Sequence, residues 1–347
     1  MRNLHNRVDR RILLERLHES EEPRTTISFY KYAQIGNVQL FRDHLFLLLE
    51  SIDTFGRIYV AHEGINGQIS VPSSQVDELR KRLYQITFLE GCRLNIAIED
   101  DGMSFYKLII KIRKKIVADG IEDEQFDVTD NGKHINAEEY NSLVTSGKAI
   151  VIDMRNHYEH EVGHFKEAIR PDVETFRESL PIVEEILEKN KDKEVVMYCT
   201  GGIRCEKATA YFKYRGFDNL HQLDGGIIEY SRQAAKLGLD NHFLGKNFVF
   251  DDRLGERISS DVVAHCHQCG SSCDAHTNCA NDACHLLFIQ CPSCGTSYDG
   301  CCSKKCADFN KMPPEEQAEL RKTASFNGSK FGKGRYKAAR SGQLDAE

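Results

Sequence analysis

Three short apolar runs, Ala149–Asp153, Val195–Tyr198 and Leu220–Leu223, alternate with stretches of helical spacing at 137–143, 175–189 and 205–214. Apolar strands separated by helices are buried on both faces, and a parallel sheet with helices on either side satisfies that pattern. The segment 135–240 is therefore expected to be an α/β unit whose ligands bind beyond the carboxyl ends of its strands. Asp153 and Cys199 fall at two of those ends.

Cys199 is followed by Thr200-Gly201-Gly202-Ile203-Arg204 and then by an amphipathic stretch from Cys205. A cysteine between a strand end and a helix N-terminus faces unpaired backbone N–H groups, which stabilise a thiolate and any anion beside it. The two glycines let the backbone curl around one atom, so the amides of Thr200, Gly201, Gly202 and Ile203 form a candidate anion cradle, and Arg204 adds a fixed positive charge. Cys199 is the candidate nucleophile; the plain alternative is a small buried hydrophobe before a glycine turn. Cys205 is either a thiol that resolves an oxidised Cys199 by forming a disulfide or a packed first-turn residue. Asp153 and Arg155 either orient the loop as an ion pair or serve structure alone.

Ahead of this unit, an N-terminal extension (1–24) leads into a segment (25–118) that reads strand, helix, strand, strand, helix, strand. That order suggests a split βαβ, ferredoxin-like α+β sandwich, joined on by an acidic linker at 119–134. His62-Glu63-Gly64-Ile65-Asn66-Gly67 suits a tight hairpin, with substrate contact as the other reading. The formal charge of −7 gives the whole chain no pull towards nucleic acid, so any such binding needs a local basic surface. Two exist: Lys111, Arg113, Lys114 and Lys115, and a tail (311–347) carrying Lys330, Lys333, Arg335 and Lys337 among Phe326, Phe331 and Tyr336. The tail reads as flexible; phosphate neutralisation with aromatic stacking would let it hold RNA, and a solvated tail is the alternative.

In the remaining region (241–310), ten of the thirteen cysteines lie between Cys266 and Cys306. Cys266/Cys269 and Cys291/Cys294 are paired C-x-x-C knuckles, the spacing by which one turn supplies two ligands to tetrahedral zinc. Cys273, Cys279, Cys301 and Cys306 are the further candidate ligands, with Cys284 and Cys302 beside them and His265, His267, His276 and His285 as substitutes. There are enough donors for two structural zinc ions; an iron–sulfur centre or a metal-free thiol cluster are the alternatives. The charged N-terminus lacks the apolar core of a signal peptide and no stretch approaches a membrane-spanning length, so a cytoplasmic protein with reduced thiols and no membrane partner is expected.

Asp153 to Ile169, Tyr198 to Arg204 and Leu223 to Ile227 together resemble a rhodanese domain: its aspartate-arginine strand end, its cysteine loop and its closing Gly-Gly segment. Arg24 to Tyr32, Ala61 to Gly67, Val117 to Ile121, Gly245 to Arg253 and Ala264 to Gly270 extend the likeness, in order, to the bacterial rhodanese-domain tRNA uridine hydroxylases. That resemblance implies tRNA as partner and oxygen-dependent conversion of wobble uridine to 5-hydroxyuridine, with molecular oxygen as co-substrate and a persulfide on Cys199. The chain has no flavin or nicotinamide fingerprint. A sulfurtransferase needs the same cradle, and a non-catalytic RNA-binding adaptor would use the basic and cysteine-rich segments alone. A phosphatase of related fold wants five residues between cysteine and arginine, where this chain has four.

Overall fold

The computed structural model of the protein describes residues 4, 8–20, 22–122, 126–328 and 335–336. α1 (Arg10–Glu19) precedes a unit running β1 (Arg24–Tyr32), α2 (Val38–Glu50), β2 (Phe55–Ala61), β3 (Gly64–Pro72), α3 (Val76–Tyr84), β4 (Asn95–Ile96) and β5 (Leu108–Ile112). The sheet order is β4-β1-β3-β2-β5, with β5 parallel to β2 and the other pairs antiparallel. The first four strands and the two helices after β1 form the expected ferredoxin-like sandwich, and β5 widens it. Strand alternation divides the two faces. Ile27, Phe29, Ile58, Val60, Ile65 and Ile69 pack against Leu45, Phe46 and Leu49 of α2 and Leu79 and Leu83 of α3. Ser28, Tyr30, Arg57, Tyr59, Asn66 and Gln68 point the other way and line a cavity.

The second unit comprises β6 (Lys133–Ile135), α4 (Ala137–Thr145), β7 (Ala149–Asp153), α5 (His157–His160), β8 (Gly163–Phe165), α6 (Phe176–Glu188), β9 (Glu194–Tyr198), α7 (Ile203–Tyr214), β10 (Leu220–Leu223) and α8 (Gly226–Leu237). Its four-stranded sheet, β6-β10-β9-β7, is parallel throughout. β6 corrects the sequence reading: Lys133 and His134, assigned to the linker, are strand residues. Their exposed, polar pattern carries no strand signal, and it is pairing with His221 to Leu223 of β10 that makes them one.

β11 (Phe243–Asn247) returns to pair antiparallel with β8 and also carries β12 (Glu256–Arg257), so the chain beyond 240 is stitched into the second unit. Phe165 of β8 centres the aromatic contacts there, 4.7 Å from Tyr198, 4.8 Å from Tyr230 and 5.2 Å from Phe243. β13 (His276–Asn278), β14 (Leu287–Ile289), α9 (Pro292–Ser297), α10 (Lys304–Lys311) and α11 (Pro314–Leu320) complete the described chain. The described part of the tail is docked, contrary to expectation. Phe326 packs on Phe309 at 5.0 Å, Tyr336 stacks on Phe288 at 5.9 Å, and Arg335 forms ion pairs with Asp172 and Glu174. Burying aromatic area against the cysteine-rich unit outweighs the tail's polar composition. Lys330, Phe331, Lys333 and Lys337 lie outside the described residues. No helix among the described residues is long and apolar enough to cross a membrane.

The first two units meet through a charged seam. Lys207 of α7, 1% exposed, lies 2.6 Å from both Glu63 and Asp119, and Lys115 lies 2.7 Å from Asp119. Glu63 also accepts the Ile116 N–H at 2.7 Å. The His62–Glu63 hairpin turn is thus a docking device, a third role beside the two its sequence suggested, and Lys115 of the basic run is committed to the same seam. Lys207→Met should destabilise the protein by about 3 kcal/mol in a urea titration, because two carboxylates lose their shared cation. The low end of the range applies since Asp119 keeps Lys115 and Glu63 keeps some contact with water.

Candidate active site

Cys199 directly follows β9, is fully buried from bulk water and is one of the residues lining a cavity. Gly202, at φ +102°, caps α7 and donates its N–H to the Cys199 sulfur at 3.2 Å. Burial by itself pushes this thiol up. The Cys205 thiol, the Arg204 charge and the backbone N–H groups of Arg204 and Cys205 act the other way and bring it down to about 6. Cys205 is itself pushed well up, by burial and by its hydrogen bond to Cys199. The N–H groups at the sulfur are those of Gly202, Arg204 and Cys205, while Thr200, Gly201 and Ile203 line the cavity beside it.

Arg204, the fixed positive charge of the loop, is committed to an ion pair. Both of its arms are held by Glu159 of α5, at 2.6 and 2.8 Å, so it acts on the thiolate through its charge. Asp153 and Arg155 form a separate, completely buried pair at 2.7 and 2.9 Å. Arg155 also donates to the Gly163 carbonyl and Tyr198 to Asp153, and neither member of the pair lines the cavity. They fix the strand ends from behind. Their burial follows from closure by β8 and β11, which sequence spacing does not reveal. Glu159 was missed as a functional residue, although it stands within the Asp153–Ile169 stretch.

The N-terminus of α8 pins the cysteine loop. Ile227 N–H donates to the Cys199 carbonyl at 3.0 Å and Ile228 N–H to that of Thr200 at 3.3 Å. This approach needs Gly226 at φ +65°, where an added Cβ would sit 2.5 Å from the Cys199 carbonyl oxygen. Gly226→Ala should displace the loop and cut thiol-directed activity by about 10-fold or more, since small misplacements of a reacting group cost that much; single-turnover kinetics measures it.

The cavity has a volume of about 610 Å³, within the range of pockets that take small organic groups. One wall is the outward face of the ferredoxin-like sheet, another is the Cys199 loop with Asn156 to Tyr158, and a third is Val249, Phe250, Asp251, Arg253 and Glu256. Tyr30 reaches across, its hydroxyl donating to Glu206 of α7 at 3.1 Å. Of the basic run, Lys111, Arg113 and Lys114 are exposed, and Arg113 lies 5.4 Å from the ring of Tyr59, a cavity residue.

The cysteine-rich unit gathers two groups of four sulfurs, each within 4.8 Å of one another: Cys266, Cys269, Cys291 and Cys294, and Cys279, Cys284, Cys302 and Cys306. The first is the set of paired knuckles. The second differs from expectation, since Cys284 and Cys302 belong to it while Cys273 and Cys301 lie outside both groups. Sulfur separations of 3.6, 3.7 and 3.8 Å match the roughly 3.8 Å edge of a tetrahedron with ~2.3 Å zinc–sulfur bonds. Both groups could hold a metal ion.

Family models match residues 24–116 as a UPF0176 acylphosphatase like domain, 136–233 as a rhodanese-like domain and 244–307 as a rhodanase C-terminal region. The tRNA uridine(34) hydroxylase of Escherichia fergusonii is 54% identical over 329 residues, covering 94% of each chain. Its namesakes from an Enterobacter species and from Pectobacterium atrosepticum are 53% and 54% identical, covering 94% of this chain and 94% and 92% of theirs. With a cysteine loop, its flanking sheet and its cysteine-rich unit all inside that alignment length, the chain belongs to the tRNA uridine(34) hydroxylase family.

Proposed function

We propose that the protein hydroxylates uridine 34 of tRNA to 5-hydroxyuridine, with Cys199 as nucleophile, dioxygen supplying the hydroxyl oxygen and a reductant in solution carrying the other oxygen atom to water. The observation that carries this reading is a cysteine held near pKa 6 on the wall of a cavity large enough for an extruded base, in a chain more than half identical to named hydroxylases of that position. A thiolate that adds to C6 of uracil makes C5 electron-rich, the carbon that accepts oxygen; loss of the C5 proton then expels the thiolate and restores the C5–C6 double bond. The amides of Gly202, Arg204 and Cys205 hold charge on the sulfur or on a persulfide, and Cys205, hydrogen-bonded to Cys199, would resolve it once oxidised. Exposed Lys111, Arg113 and Lys114 would meet the tRNA backbone.

Each four-sulfur group fits one zinc ion, which would tie the knuckles together as structure. Thirteen unpaired thiols and a tRNA substrate suit the cytoplasm. Nucleosides from tRNA incubated with the protein, read by mass spectrometry with and without dioxygen, test the reading. Uridine gaining one oxygen in air alone is the expected result; a sulfur-bearing nucleoside would move the assignment to a sulfurtransferase.

A further inference from the structure

Asn95 of β4 is 3% exposed and lines the Cys199 cavity, yet its side-chain oxygen has no hydrogen-bond partner. Such an orphan is costly and rare in a folded protein, and it marks a place where a ligand completes the bonding. Other amides in the same wall are used internally: Gln68 donates to Asn66 at 2.7 Å and Asn66 to the Ile116 carbonyl at 3.4 Å. Asn95 is set opposite Ser28 in the sheet, and its amide nitrogen comes within 3.6 Å of the position a Cβ would take on Gly201, two residues from the nucleophile. The hydroxyl of Thr200, another residue lining this cavity, is likewise buried without a partner.

We propose that Asn95 is a specificity-determining residue that reads the imide edge of uracil. Resting on the hydroxylase reading above, this assigns the Asn95 oxygen to accept N3–H while its NH₂ donates to a neighbouring carbonyl, and the Thr200 hydroxyl donates to the other. Uracil presents that acceptor–donor–acceptor edge, and a side-chain amide with an open oxygen complements it. The contact is non-covalent and leaves the chemistry to Cys199.

The test uses the full-length protein and an anticodon stem-loop RNA carrying uridine or N3-methyluridine at the target position. Asn95→Leu, which keeps volume and removes polarity, should lower kcat/KM for the uridine RNA about 10²-fold, and Asn95→Asp, which loses the NH₂ donor and sets a charge against the uracil carbonyl, should lower it as well. Wild type should reject N3-methyluridine by a similar factor, and the two losses should not multiply in Asn95→Leu. Cys199 alkylation rates should be unchanged in Asn95→Leu, and this variant should not melt earlier, because no internal bond is lost. Full activity in Asn95→Leu, multiplying losses, or a lowered melting temperature with unchanged discrimination would each overturn the assignment. If wild type oxidises neither RNA, the hydroxylase reading itself fails.

Discussion

Cys199→Ser is expected to reduce 5-hydroxyuridine formation by about 10³-fold or more, because a serine hydroxyl in the same cradle stays protonated at neutral pH. The cradle makes a second, quantitative demand. With its pKa lowered to about 6, Cys199 is a thiolate at neutral pH and takes up its proton as the pH falls through 6. Its alkylation by iodoacetamide should therefore be flat above about pH 7 and fall roughly tenfold per unit well below pH 6, whereas an ordinary thiol keeps gaining rate up to about pH 8.5. Mass mapping of Cys199 across that range measures it, and a rate still climbing at pH 8 would show that the loop does not stabilise the thiolate.

Removing metal should have the largest effect on structure. Four-cysteine zinc sites bind with about 10–16 kcal/mol apparent free energy, and a segment with so little apolar core depends on it. The purified protein should contain two zinc ions per chain, and a strong chelator should open 266–306 to hydrogen exchange while the parallel sheet stays protected. Cys284→Ser should lose one ion, whereas Cys273→Ser and Cys301→Ser should keep both; elemental analysis of the three variants decides. Equal metal loss in all three would mean the second group is wrongly composed.

The parallel sheet, the cysteine loop and the paired knuckles were legible because each is written in local spacing: short apolar runs between helical stretches, a strand–glycine–helix junction, two C-x-x-C turns. The second sulfur group was half legible. Its members, Cys279, Cys284, Cys302 and Cys306, come from unequal intervals, and nothing in those intervals separates them from Cys273 and Cys301. Asn95, Tyr30 and Glu159 were not legible as site residues at all. Docking of the ferredoxin-like sheet brings Asn95 and Tyr30 to the loop across more than a hundred residues, and Glu159 is recognisable only once Arg204 is seen to spend both arms on it. Arg204 shows the same limit: its charge can be counted from a sequence, but its partner cannot.

The three-walled cavity separates two properties that evolution or an engineer can tune independently. Everything that sharpens the sulfur, from Gly202 to Cys205 and the α8 N-terminus, belongs to the second unit. What the sulfur can meet is decided by walls borrowed from the first unit and from the strap at 249–256. Rewriting those walls would redirect the chemistry to another molecule without blunting it, and grafting the cysteine loop elsewhere would carry away the reactivity and leave the choice of target behind.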